Sequence, residues 1–392
     1  MSSVLPPRHP VLRALIDICG PGFARPAGPA DTVAARRASF VVGPATATAV
    51  ADALRLATTR GLAVMPRGAG TKLDWGTPPP GVDLLLDTGR LAGVWHHHPD
   101  EGTAEVGAGT PVRAVQAALA LHGQRLAADP PSSRATVGGM LAVNESGPLR
   151  HRYGSAADQV QHVSYVDPAG VPRAFAPGAR RGRPGGMEVD GVIVSATLRL
   201  EPMPAARRWV SVAVSTPLQV HHLVAATLAQ RVEPSAIEVD LPRAVPQTTV
   251  QPPGSLAVLL EGAAPGVQER AARLAKAFGD GVTVTGMAPQ WWGRYPFGRD
   301  DVALRIAVPI ADLHAAVYAL RDAAGAVVPI RGSAGLGMVH AVLPGTTGPE
   351  RVEAILDAVR GVLLARGGRA VVISAPPSTA RAVDVADRRD LF

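Results

Sequence analysis

The sequence holds a single cysteine, Cys19, so it forms no internal disulfide, and no Cys/His spacing resembles a zinc site or a c-type haem attachment. Any redox chemistry carried here is not thiol chemistry. Lysine is nearly as scarce, with Lys72 and Lys276 the only two among 39 Lys and Arg residues. The formal net charge of +7 is thus a matter of arginine scattered through both halves, with one dense cluster at Arg180, Arg181 and Arg183. Aromatic residues make up 4% of the chain, too few for a base-stacking platform, which argues against a nucleic-acid partner. Long apolar runs are missing as well: Arg, Asp, Gly or Pro breaks each one short of the roughly 20 residues a bilayer requires. The stretch that follows Arg8 and contains Arg13 is cut by Asp17 and Gly20, with no small-residue cleavage site after it, and the chain reads as cytoplasmic.

What remains is a core-forming composition. With 392 residues and 47% hydrophobic content, two or three compact domains are expected. Residues 1–36 are rich in Pro, Gly and Ala and read as an N-terminal arm with one short amphipathic stretch, Val11 to Cys19. From Phe40 the pattern is strand, helix (Pro44 to Arg60, closed by Gly61) and strand (Leu62 to Met65), a βαβ opening. Further strands are expected at Asp83 to Asp87, Thr103 to Val106 and Val192 to Leu200, with a helix from Pro111 to His122 and a hairpin turning at Asp167 to Gly170. Pro202 and Pro204 follow the last strand and set the expected boundary between a domain at 37–203 and another at 204–392. The latter alternates strands with four amphipathic helices, an α+β pattern that predicts a helix-covered antiparallel sheet.

The strand ending at Met65 runs into Pro66-Arg67-Gly68-Ala69-Gly70-Thr71-Lys72. Glycines let a backbone approach a ligand closely, their amides face outward, and Arg67 and Lys72 add positive charge, so the loop suits a diphosphate. It is neither a Walker A loop nor GxGxxG, since Leu73 stands where the third glycine would be. A tight glycine turn between two strands is the plainer reading of the loop taken alone.

More specific is the order in which other runs follow: Asp129-Pro130-Pro131-Ser132-Ser133, Thr136-Val137-Gly138-Gly139, Asn144-Glu145-Ser146-Gly147 and Arg152-Tyr153-Gly154. Together with the loop, and over about Phe40 to Leu200, they resemble the PCMH-type FAD-binding domain shared by vanillyl-alcohol oxidase and p-cresol methylhydroxylase. The run Pro66 to Gly76, PRGAGTKLDWG, looks more closely like the smaller flavoprotein (E) subunits of bacterial glycolate oxidases. The resemblance implies an α+β fold in which a two-subdomain FAD-binding domain precedes an α+β cap domain. It implies cofactor contacts at Pro66, Arg67, Gly68, Ala69, Gly70, Thr71 and Lys72 in the loop. Others are implied at Pro130, Thr136, Gly138, Gly139, Ser146, Gly147, Tyr153, Val192 and Ile193. Thr71 stands where some members carry a flavin-linking histidine, so the implied FAD is non-covalent. The implied partners are a larger FAD-binding glycolate oxidase subunit and an iron–sulfur subunit, with a small hydroxy acid as substrate and any membrane contact made through those partners.

Two stretches depart from the family pattern. Before Val192 the usual Gly-Ser-Glu-Gly-Thr-Leu-Gly run is replaced within Arg173 to Gly191, of which only Gly191 and the next two residues match. At Gly332 to His340 the sequence GSAGLGMVH keeps the glycine frame of a GHAGDGNLH type of motif. Ser333, Leu336 and Met338 replace its first histidine, aspartate and asparagine. His340 alone lacks the partners a general base or a metal site needs and reads as a core or interface histidine. The His96-His97-His98 run reads as a loop rather than a metal site, since adjacent residues on an extended segment point to opposite faces. Trp291, Trp292, Tyr295 and Phe297 form either a loop packed over the second domain or a partner hot spot. The sequence stops at Asp390-Leu391-Phe392, where the family usually continues with a segment returning to the FAD domain, so no return segment is expected.

Three functional readings follow. The first is an FAD-binding subunit of a 2-hydroxy-acid oxidase complex that passes electrons between partners. The second is a non-catalytic scaffold with lost flavin, and the third a self-sufficient FAD oxidoreductase acting on another hydroxy acid or alcohol.

Overall fold

A computed structural model describes residues 9–176, 189–242, 253–388 and 391–392. Arg8, Arg180, Arg181, Arg183 and the whole of 177–188 within the Arg173 to Gly191 stretch lie outside these residues. The chain divides into two compact units, one of residues 1–146, 155–203 and 388–392 and one of 147–154 and 204–387.

The first unit opens with the helix Pro10–Cys19, which buries Val11, Leu12, Leu15 and Cys19. These side chains join a core with Phe40, Val50, Leu54, Leu84 and Leu86, as an apolar stripe on an amphipathic helix should. Ala24–Pro26 then pairs antiparallel with Phe40–Val42. The expected arm is therefore corrected from His9 onward: the segment supplies a core-facing stripe and an outer strand, both of which need partners to be stable. The four-stranded sheet runs in the order Ala24–Pro26, Phe40–Val42, Leu84–Asp87, Val64–Arg67. Phe40–Val42 and Val64–Arg67 both lie parallel to Leu84–Asp87. The crossover helix Ala47–Thr59 is capped by Thr46, whose hydroxyl accepts from the Ala49 amide at 3.1 Å.

A second, antiparallel sheet has five strands in the order Pro172–Phe175, Val160–Val166, Val192–Arg199, Thr103–Gly107, Val94–His98. Helix Val112–Ala120 and the short helix Val137–Ala142 contribute to its core through Val115, Leu119, Met140 and Leu141. The histidine run is not the expected loop but the edge strand Val94–His98. Strand alternation puts His97 on one side, with its Nε2 2.7 Å from Gln124 Oε1, and His96 and His98 on the other, their rings stacked at 6.4 Å.

The second unit is built on eight antiparallel strands. Alternate residues such as Val210 and Val212, Ile237 and Val239, and Leu304 and Ile306 share a core with the helices Pro217–Ala229, Ala264–Phe278, Leu313–Ala324 and Pro349–Leu364. Period-2 strands meeting period-3.6 helices produce the helix-covered sheet. The aromatic run packs within this unit: Trp292 meets Trp209 edge-on at 6.0 Å, and Tyr295 meets His340 at 5.2 Å. Among the described residues no helix is long and apolar enough to cross a membrane.

Burial pushes the Cys19 thiol up to about 11, against the opposing effect of Arg90. Because the thiolate is the reactive form, native protein at pH 8 should label with a disulfide reagent far more slowly than a free thiol. Labelling should become complete in denaturant; rapid labelling of the native protein would contradict the burial. The linkage has the matching sign: the favoured neutral thiol contributes its stability fully below the ordinary thiol range, and that stability is lost as pH rises toward 11.

Candidate cofactor-binding site

The glycine-rich loop leaves the C-terminal end of strand Val64–Arg67, where the parallel register places Arg67 opposite Asp87. The guanidinium donates to Asp87 Oδ2 from Nε at 3.2 Å and Nη2 at 2.9 Å, and to Asp31 Oδ1 from Nη1 at 3.0 Å. Asp31 also accepts from Arg25 at 2.6 Å and from the Gly28 amide at 2.7 Å. The hydrogen bonds from Arg25, joined by those from Gly28 and Arg67, hold its carboxyl well below the usual carboxylate range.

Lys72, at the far end of the loop, is buried, and its ammonium lies 2.5 Å from Glu145 Oε2 and 2.6 Å from Ser132 Oγ. Glu145 is 1% exposed and also accepts from the Ser132 amide at 3.0 Å. Burial pushes the Lys72 pKa down, and the Glu145 carboxylate opposes that shift. Both cations that the sequence offers to a diphosphate are therefore engaged within the protein. They fix the two ends of the loop, and the part free to meet an anion is backbone.

Glycine is required in between for identifiable reasons. A Cβ on Gly68 would stand 2.1 Å from Thr136 Oγ1, the hydroxyl that caps Val137–Ala142 by accepting from the Gly139 amide. Gly70 adopts φ +71°, a left-handed conformation that β-branched residues avoid. Gly138 lets its helix approach Ala108, to whose carbonyl it donates at 2.7 Å.

These segments enclose a cavity of about 230 Å³. All seven expected loop residues, Pro66 to Lys72, line it, as do Thr136, Gly138, Gly139, Val192 and Ile193. Pro130 and Ser146 lie in the same unit but are not among its lining residues. Ser146 instead shapes its own turn, donating to the Asn144 carbonyl and accepting from the Ala156 amide at 3.0 Å. Gly147 and Tyr153 belong to the second unit, where Tyr153 packs beside Leu149 and Trp209 and its hydroxyl donates to Glu261 Oε2 at 3.5 Å.

Sequence reasoning missed Met65, Thr88, Ala108, Ala142, Val143 and Val189 as lining residues. It also missed Glu145 as the partner of Lys72, although a lone carboxylate inside a small polar run was a signal. The largest correction concerns the return segment. Arg388 and Leu391 line the cavity, Arg388 donates to the Leu73 carbonyl at 2.8 Å, and Phe392 stacks on Trp75 at 6.0 Å. A return to the first unit is thus present, because the apolar Leu391-Phe392 pair finds a buried place there.

The altered Gly332 to His340 motif forms a hairpin in the second unit, Ile330–Ser333 joined to Met338–Leu343. Its glycines serve the backbone: Gly337 turns the chain at φ +68°, and Gly332, at φ +151° within its strand, sits where a Cβ would stand 2.7 Å from the Met338 carbonyl oxygen. This explains why the frame survives without the polar side chains. His340 faces Arg331 and Arg305 across neighbouring strands and packs against Tyr295 and Phe297.

The residues present suit a flavin dinucleotide. The loop brings backbone within reach where a side chain would obstruct, and the cavity walls are small or apolar. Arg67 to Thr71 would hold the diphosphate through amides, with Pro66, which has no N–H to offer, at the loop's start and Gly138, Gly139, Val192 and Ile193 along the remaining wall.

Comparisons agree with this assignment. Residues 38–174 match the family model for an FAD binding domain. A D-lactate dehydrogenase of Archaeoglobus fulgidus is 30% identical over 126 residues, covering 32% of this chain and 28% of that protein. An alkyldihydroxyacetonephosphate synthase of Trypanosoma brucei brucei is 24% identical over 172 residues, covering 40% and 27%. The match thus spans little more than a quarter of the length of either curated relative. The crystal structure of p-cresol methylhydroxylase with substrate bound superposes with a TM-score of 0.69 at 13% identity, covering 95% of this chain and 90% of that one.

Two substitutions probe the site. Lys72→Met should leave Glu145 buried without its cation and cost about 3–5 kcal/mol in urea denaturation, whereas Lys72→Met with Glu145→Leu should recover much of that; additive losses would contradict the pairing. Gly70→Val should abolish flavin occupancy in the purified protein while the far-ultraviolet circular dichroism stays native, since strain of about 1–3 kcal/mol is confined to the loop. Residues 38–174 are thus an FAD binding domain, the fold is shared with p-cresol methylhydroxylase, and the cofactor of this chain is FAD.

Proposed function

We propose that this chain is an FAD-dependent oxidoreductase of 2-hydroxy-acid chemistry that works as the smaller flavoprotein subunit of a glycolate oxidase-like complex. The observation that carries the reading is the glycine-lined cavity beneath the Pro66 to Lys72 loop, which accounts for FAD. The hydroxy-acid class is supported by the likeness, over 126 residues, to a D-lactate dehydrogenase and by the PRGAGTKLDWG run. The subunit role is supported by the Gly332 to His340 hairpin, where Ser333, Leu336 and Met338 supply none of the basic or acidic groups expected of a self-sufficient site.

FAD, when bound, supplies two-electron acceptance and one-electron release. The protein's part is to seat it, with Arg67 and Lys72 fixing the loop and the amides between them meeting the diphosphate. Substrate oxidation falls mainly to a larger flavoprotein partner. Electrons leave through an iron–sulfur subunit, since cluster ligation takes several cysteines and this sequence has only Cys19. The FAD is held non-covalently, because Thr71 occupies the place of the linking histidine.

The purified chain should show flavin absorbance near one FAD per chain, and acid precipitation should leave that flavin in the supernatant. Flavin in the pellet would overturn the non-covalent assignment. Glycolate and D-lactate should reduce the flavin only when the partner subunits are added. Bleaching by a hydroxy acid without partners would favour a self-sufficient enzyme, and a folded chain that takes up no FAD would favour the scaffold.

A further inference from the structure

Segment ends ordinarily fray unless something ties them down. Here Leu391 is 1% and Phe392 7% exposed, both buried in the unit that carries the cofactor loop. Their surroundings are specific. Phe392 stacks on Trp75 with ring centroids 6.0 Å apart and planes 23° from parallel. The Lys72 ammonium lies 4.9 Å from the Trp75 ring and 5.6 Å from the Phe392 ring, both within the range of a cation–π attraction. The same ammonium is paired with Glu145 at 2.5 Å. Arg388 adds hydrogen bonds to the carbonyls of Leu73 at 2.8 Å and Thr77 at 3.3 Å, just past the loop, and Leu391 reaches the cavity wall.

We propose that Arg388, Leu391 and Phe392 form a clasp that holds the cofactor loop in its binding shape and so retains FAD. The proposal rests on the FAD reading of the cavity and adds a set of positioning residues to it. The physical reasoning concerns preorganisation. The loop meets its ligand with backbone amides, so its affinity depends on those amides being aimed before the ligand arrives. Glu145 and Ser132 hold Lys72 by its ammonium, and the stacked Trp75 and Phe392 rings lie beside it; without the Phe392 ring that aromatic support is halved, and the loop end gains freedom that binding must remove. Arg388 restrains the residues that follow Lys72 by their carbonyls, which side-chain packing cannot do. Neither group needs to touch the cofactor for the clasp to act.

The test uses the full chain with Phe392→Ala, Phe392→Tyr and Arg388→Gln, each freed of flavin and retitrated with FAD by fluorescence. Amide hydrogen exchange of the 66–76 peptide is followed separately in the flavin-free protein. Phe392→Ala should weaken FAD binding about tenfold, the size of a lost desolvated cation–π contact, and should speed exchange in 66–76. Phe392→Tyr, which keeps the ring, should restore both. Arg388→Gln should speed exchange even if Phe392→Ala proves unable to fold. Wild-type affinity and exchange in folded Phe392→Ala would overturn the clasp, as would weakened FAD binding that the tyrosine does not rescue. A wild-type chain that takes up no FAD would refute the functional reading instead, and the exchange comparison would still decide the clasp: unchanged protection in both Phe392→Ala and Arg388→Gln would overturn it.

Discussion

The ion pair between Lys72 and Glu145 is the constraint on which the cofactor unit depends. Two opposite charges this deeply buried hold each other in place because neither can return to water without leaving the other unbalanced. That makes the pair a weak source of net stability and a strong source of position. It joins the glycine-rich loop to the segment around Ser132, and the Arg67 contacts with Asp31 and Asp87 do the same at the other end, drawing residues 25–31 toward the loop. A loop of small residues has little packing of its own. Its shape comes from the charged residues that bracket it.

This also changes how the electrostatics of the site is understood. A cluster of free lysines would attract any anion, including inorganic phosphate, by long-range charge alone. Here the Arg67 and Lys72 charges are compensated within the protein, so on the FAD reading recognition by the loop would fall to backbone amides, which act at contact distance. Such a site would favour a ligand whose outline fits the cavity, with glycines admitting it and Val192 and Ile193 forming an apolar wall.

Much of this was legible in the amino-acid order. The βαβ opening, the strand Val192–Arg199 and the strands and helices of the second unit follow from hydrophobic periodicity, which local side-chain pattern carries. The Pro66 to Lys72 loop reads as a ligand cradle in the sequence and its residues line a cavity in the structure, but Arg67 and Lys72 were taken for ligand-binding cations because a sequence shows a charge and not its partner. Asp31 and Glu145 lie 36 and 73 positions away from them, distances at which pattern is silent. The same limit hid the Ala24–Pro26 strand, whose three residues have no β pattern of their own and pair only because Phe40–Val42 offers an edge. His96 to His98 read as a loop because histidine has little strand preference; the neighbouring strand Thr103–Gly107 decides the matter.

The separation of Lys72 from Phe392 by 320 positions has a consequence during synthesis. At about 5–20 residues per second, the glycine-rich loop exists for roughly 16–64 s before the ring that packs beside its lysine has been made. Throughout that interval the nascent chain has a cofactor loop without its last support, while the whole of residues 204–387 is still being produced. Flavin captured in that period would meet a site still missing the Leu391 wall.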